Sequence, residues 1–172
     1  MSSRSNRITL GFSTLCTVLG VLAAPAAAAT IQIPAIAFVI RAAPGSDLGD
    51  ANAGVLTNAE GTYFAAVPFE AGQRVCKFTL VHRDNDADSQ IVARLYKKKV
   101  IIGDTPFTPP VRMTFVATGV ATGTMGVKRK SATNITEPVI TIPGAFYYVE
   151  IQNTSNLLEV LGVEIDVRTT DC

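Results

Sequence analysis

The stretch VLGVEIDVR, residues 160–168, alternates apolar and polar residues with a period of two. Such alternation is typical of a β-strand that has one face in a core and the other in water. The aliphatic face of this strand is predicted to consist of Leu161, Val163, Ile165 and Val167.

The same period recurs in FYYVEIQ, residues 146–152, and in VCKFTLVH, residues 75–82. No window has the spacing of a long amphipathic helix, and Gly, Pro, Asn and Asp separate the apolar runs. The pattern predicts strands near residues 31–41, 63–69, 74–82, 90–101, 111–119, 135–142, 145–153 and 158–168. About eight short strands in one chain predict an all-β, single-domain antiparallel β-sandwich, either jelly-roll or immunoglobulin-like.

The N-terminus has the composition of a signal peptide. Arg4 and Arg7 precede the apolar run ITLGFSTLCTVLGVLAA, and PAAAAT supplies small residues for cleavage after Ala28 or Ala29. The alternative is an anchor that stays attached, but the run is short for a membrane span and no basic residue follows it directly. We therefore predict a signal peptide over residues 1–29 and a secreted or periplasmic domain over 30–172, without a membrane span. The alanine-rich end suggests a bacterial source.

Loss of the signal peptide would leave two cysteines, Cys76 and Cys172. An even pair in an oxidising compartment predicts a disulfide, which would close a loop of roughly a hundred residues and hold the C-terminus. Two separate thiols are the alternative.

The charge of the chain is nearly balanced, with 15 Lys+Arg and 14 Asp+Glu before Arg4 and Arg7 are removed. Such a domain has no overall field to attract nucleic acid. Two basic triplets would form an anion-binding patch if folding brought them together; the alternative is lysines that protect an edge strand from aggregation. The triplets are Lys97, Lys98, Lys99 and Lys128, Arg129, Lys130.

Three aspartates alternate between two predicted strands, at Asp84, Asp86 and Asp88. They match the opening of an EF-hand calcium loop, but Ser89 and Leu95 stand where that loop needs glycine and glutamate. The segment is therefore interpreted as a polar turn, with Ca²⁺ bound by the three aspartates as the alternative.

The sequence contains few of the residue patterns that enzymes need. His82 is the only histidine, and the chain has neither a G-x-S-x-G motif nor a glycine-rich phosphate loop. Glu150 and Glu164, on predicted C-terminal strands, leave a glycosidase-like carboxylate pair open. We predict that the protein is not an enzyme and needs no cofactor.

Two segments resemble a family of small exported bacterial proteins. These are YFAAVPFEAGQRVCKFTLVHRDNDADSQIVARLYKK and FYYVEIQNTSNLLEVLGVEIDV, although Glu70-Ala71-Gly72 replaces the proline turn of that family. The resemblance implies an exported all-β domain and implies no activity.

The sequence as a whole predicts a structural or interaction module. The alternative is a calcium- or glycan-binding adhesive domain that uses the Asp84–Asp88 loop. Its partners would be a surface polysaccharide or another protein, and exposed strand edges also favour a homo-oligomer.

Overall fold

The computed structural model describes residues 28–40, 61–84, 89–99, 108–119, 126–153 and 158–172. Its elements are the strands β1 (Ala29–Pro34), β2 (Val39–Ile40), β3 (Gly61–Ala66), β4 (Arg74–Asp84), β5 (Ile91–Lys99), β6 (Val111–Ala117), β7 (Val127–Ala132), β8 (Ala145–Asn153) and β9 (Leu158–Arg168), with a 3₁₀ turn at Ala35–Ala37. The predicted signal peptide lies outside the described residues, except for its last two positions.

The strands form two antiparallel sheets. The four-stranded sheet has the order β1-β9-β4-β7, and the five-stranded sheet has the order β2-β3-β8-β5-β6. From β7 onward each strand lies in the other sheet from the strand before it, and β1 pairs with β9. This order is that of a jelly roll, so the predicted β-sandwich is confirmed and the immunoglobulin-like alternative is not.

The core lies between the two sheets and consists largely of aliphatic side chains. Phe78 and Ile165 from the four-stranded sheet, and Leu95 and Ile151 from the five-stranded sheet, are fully buried. Tyr63 and Tyr147 also belong to the core. The outward faces of both sheets are therefore the surfaces that can contact solvent or ligands.

The chain passes between the sheets where one long strand was predicted over residues 31–41. Pro34 ends β1, and the 3₁₀ turn that follows carries the chain to β2 in the other sheet. Proline removes a ladder donor, which explains why the pairing with β9 ends there.

The prediction of a strand over residues 135–142 is wrong. The segment is irregular and holds only an isolated bridge between Arg74 and Val139. Pro138 has no N–H, and its carbonyl accepts a hydrogen bond from Val75 N–H at 2.9 Å. The strand instead occupies the more polar residues Val127–Ala132, which pair with β4 as an edge strand.

The structure contains the predicted disulfide between Cys76 and Cys172. The pairing of β4 with β9 shifts register between Val75 and Lys77, so Cys76 is the extra residue of a β-bulge. The cysteine lies half-buried at this bulge rather than in the regular inward row with Phe78.

Candidate functional site

The outward faces of the two sheets differ in chemistry. On the four-stranded sheet, three ion pairs cross between strands: Lys77–Asp166 and Arg83–Glu159 join β4 to its neighbour β9, and Arg129–Glu164 reaches from β7 across β4 to β9. Strand pairing places no aromatic residue on this face within the described part of the chain. Paired charges and short polar side chains are typical of a solvated surface.

The outward face of the five-stranded sheet carries a band of aromatic rings, which we call the ring face. Tyr96 and Tyr148 are directly opposite each other, with ring centroids 5.2 Å apart and planes 21° from parallel. Phe64 lies beside Tyr148 at 5.9 Å. The ring face comprises Phe64, Tyr96, Phe115, Phe146 and Tyr148.

Hydrogen-bonding groups lie between these rings. Arg94 donates to Glu150 at 2.8 Å and to Gln152 at 3.2 Å. The Arg94 and Glu150 side chains are about four-fifths buried, which fixes their positions better than a fully exposed pair. Burial and, to a smaller extent, the nearby Glu150 raise the pKa of Tyr148 above its ordinary value, so its hydroxyl stays protonated.

A β-bulge in β6 adds the last ring to this face. Leu95 pairs with Thr114 and Tyr96 pairs with Arg112, so Met113 is the extra residue. Without the bulge, Arg112 and Phe115 would point to opposite faces, because side chains alternate along a strand. With it, the Arg112 guanidinium lies 4.8 Å above the Phe115 ring, and half of the Phe115 surface stays exposed. Sequence alternation alone would have missed Phe115.

The other outward face carries a depression of about 350 Å³ around Gly162, where β1 and β9 meet. Its lining is backbone and aliphatic surface, together with Gln32 and with Glu164, which is paired with Arg129. Leu161, predicted for the core, lines this depression because a register shift in β9 turns Val160 inward instead. The ring face therefore offers the richer set of ligand contacts.

The two basic triplets lie in different sheets, on β5 and on β7. Lys97 is buried and pairs with Glu137 at 3.0 Å, Lys98 donates to the Thr108 carbonyl, and Lys99 is exposed. On β7, Arg129 pairs with Glu164. Lys128 and Lys130 lie on the other side of this edge strand from Arg129. Two of the six cations thus already have carboxylate partners.

The Lys97–Glu137 pair should make the stability of the folded protein depend on pH in the acidic range. The hydrogen bond from Lys97, with the charges of Lys97 and Lys99, lowers the pKa of Glu137 below its ordinary value near 4.5. A carboxyl with a depressed folded-state pKa stabilises the protein above its unfolded pKa and loses this contribution as pH falls through the folded value. We expect Glu137→Gln to lower the urea midpoint at pH 7, by a difference that shrinks as the pH falls below 4.5. Equal midpoints at pH 7, or a difference that does not shrink in acid, would contradict this role.

The calcium hypothesis falls largely outside the described residues. Asp84 is described as the last residue of β4, whereas Asp86 and Asp88 are not described. Among the described residues no group of three potential metal ligands occurs. His82 is buried on the inward face of β4, opposite Val160.

Glu150 and Glu164 do not form a pair. They lie on the outward faces of different sheets, where each contacts an arginine. The full thickness of the sandwich separates them, so they cannot flank one glycosidic bond.

Comparisons with known proteins identify no family for this chain. No protein-family model matches the chain, and no curated protein matches its sequence. A solved structure described as "Truncated AlyQ with CBM32 and alginate lyase domains" is similar with a TM-score of 0.40 and 10% sequence identity. The alignment covers 83% of this chain and 34% of that one, so this chain spans about a third of its length. Among the described residues, no helix is long and apolar enough to cross a membrane.

Proposed function

We propose that the chain is a non-catalytic binding module of an exported protein, and that its ringed outward face binds polysaccharide. The observation that carries this proposal is the band of five aromatic rings on one exposed sheet face. Exposed aromatic patches on a folded domain usually mark an interaction surface.

The arrangement of the ring face favours a sugar over a protein partner. Interfaces between proteins are depleted of acidic residues at their centre, although Arg and aromatic residues are enriched there. Here the Arg94–Glu150 pair occupies the centre, with Phe64 and Phe115 on either side in the same row across the sheet. A sugar chain has the matching pattern, since apolar C–H surfaces pack on aromatic faces while its hydroxyls need donors and acceptors.

The size of the ring face also fits a polymer. Phe64 and Phe115 are three strand spacings apart, which is about 14 Å at 4.8 Å per strand. This row can contact several sugar units at once. Because the rings lie on the outward side of a sheet, a chain can pass across them without a free end.

Affinity electrophoresis of the purified chain through gels containing neutral and acidic polysaccharides tests the proposal. We expect at least one polymer to slow the protein. Phe115→Ala and Tyr96→Ala should each weaken that binding about tenfold or more, the loss typical of a central aromatic contact. Val127→Ala is the matched control, because Val127 is 55% exposed on the opposite outward face.

Two results would contradict the proposal. One is a wild-type protein that no polymer slows. The other is a Val127→Ala variant that loses as much binding as Phe115→Ala. Thermal melting of each variant separates loss of contact from loss of folding. Light scattering on the same samples tests the predicted homo-oligomer.

A further inference from the structure

A polar pocket of about 260 Å³ opens at the β6 edge of the ring face, and we call it the β6 pocket. One wall is β6 and the other is the segment that follows β7. The Thr136 N–H donates to the Met113 carbonyl at 2.7 Å, which holds the two walls together at the bulge. The lining is Arg112, Met113, Thr114, Phe115, Ala132, Asn134 and Thr136.

Arg112 provides the charge of this pocket. Arg94 and Arg129 each pair with a glutamate, whereas Arg112 has no carboxylate partner within the part of the chain that the structure describes. Its guanidinium lies over the Phe115 ring. A guanidinium that stacks on a ring keeps its N–H groups in its own plane, where a carboxylate can accept two of them.

The rest of the ring face adds to this positive charge. Within the described segments, strand pairing places three cationic side chains on this face, Arg94, Lys98 and Arg112, against one carboxylate at Glu150. These described residues sum to an excess of two positive charges, although the whole chain is nearly neutral. Such a local excess attracts an anionic ligand and repels a cationic one.

We infer that the β6 pocket binds the carboxylate of an acidic polysaccharide. Arg112 holds the carboxylate, the Phe115 ring contacts the sugar that bears it, and Thr114, Asn134 and Thr136 line a space for its hydroxyls. Neighbouring sugars of the same chain continue across Tyr96 and Tyr148. The inference rests on the proposed polysaccharide function and specifies its ligand as a uronate-type polymer.

The test compares polygalacturonate with its methyl-esterified form, which has the same backbone without the charge. The variants are Arg112→Gln, Arg112→Lys and, as a charge-matched control, Arg129→Gln on the opposite face. We expect wild type to bind the charged polymer at least about tenfold more tightly than the ester. Arg112→Gln should lose about tenfold, Arg112→Lys less, and Arg129→Gln less than twofold. Poly-glutamate should not compete at equal carboxylate concentration.

Each contrary result has a separate meaning. If Arg112→Gln and Arg129→Gln lose equal affinity for polygalacturonate, binding depends only on the net charge of the protein, and the inference is overturned. Competition by poly-glutamate would make the ligand an acidic peptide and overturn it as well. If wild type binds both polymers equally and Phe115→Ala abolishes that binding, the polysaccharide function stands without the acidic preference. If neither polymer binds, while other polysaccharides do, only the acidic preference fails; if no polysaccharide binds, both fail.

Discussion

Replacing Cys76 and Cys172 together by alanine is expected to lower the free energy of unfolding by about 4 kcal/mol. The bond links residues 96 positions apart, so it restricts the unfolded chain over most of the domain. Few other contacts hold the C-terminus, since residues 169–172 are exposed and the Arg74–Asp171 pair is largely in solvent. Urea unfolding without reductant measures the loss.

Reduction provides the control for this prediction. Wild type in dithiothreitol should unfold at the same urea concentration as the double-alanine variant, and dithiothreitol should not affect that variant. If oxidised wild type and the variant share one midpoint, the disulfide does not stabilise the fold. Because neither cysteine lies on the ring face, the oxidised and reduced proteins should bind polysaccharide equally wherever both are folded.

Much of the fold could be predicted because hydrophobic alternation follows burial. The β9 sequence alternates over most of its length, and Val163, Ile165 and Val167 are all buried as predicted. The alternation pattern gave a wrong prediction where a β-bulge changes which residues face the core: Leu161 was predicted to be buried, but Val160 is buried instead. It also failed for β7, whose charged sequence pairs with β4 through backbone hydrogen bonds that leave no trace in side-chain pattern.

The candidate site could be predicted only in part. The structure buries Tyr63 and Tyr147 in the core and places Tyr96 and Tyr148 on the outward face. The sequence alone could not place Phe115 and Arg112 on one face, because the bulge at Met113 is a feature of the pairing with β5. Such bulges often occur beside functional sites, where they redirect a side chain.

The two outward faces differ in what they offer a ligand. Ion pairs on the four-stranded sheet satisfy its charges internally, so this face has little to offer a ligand. The five-stranded sheet instead exposes rings and an arginine with no carboxylate partner in the described segments. The proposed function therefore places the ligand on one side of the domain, and the opposite side supplies the matched control substitutions.

Gly162→Ala is expected to lower the free energy of unfolding by about 2–3 kcal/mol, the usual cost of forcing extra atoms into a packed site. Gly162 lies in β9 opposite Pro34 of β1, with a φ of 157°. A Cβ there would be 2.7 Å from the Ile33 carbonyl oxygen, which is too close for any carbon–oxygen contact. The edge strand β1 would have to move away from β9, and its ladder hydrogen bonds would weaken.

Gly126→Ala separates this clash from backbone strain. Gly126 has a similar φ of 147°, but a Cβ at that position would meet no atom within 4 Å. We therefore expect a clearly smaller loss, of about 1 kcal/mol, from the φ requirement alone. Equal losses in the two variants would show that conformation, and not the approach of β1, demands glycine at position 162. Gly162 lies on the outward face opposite the rings, so the folded Gly162→Ala protein should keep its polysaccharide affinity. If the variant stays folded but loses binding, the ligand binds the four-stranded sheet, which would contradict our proposal.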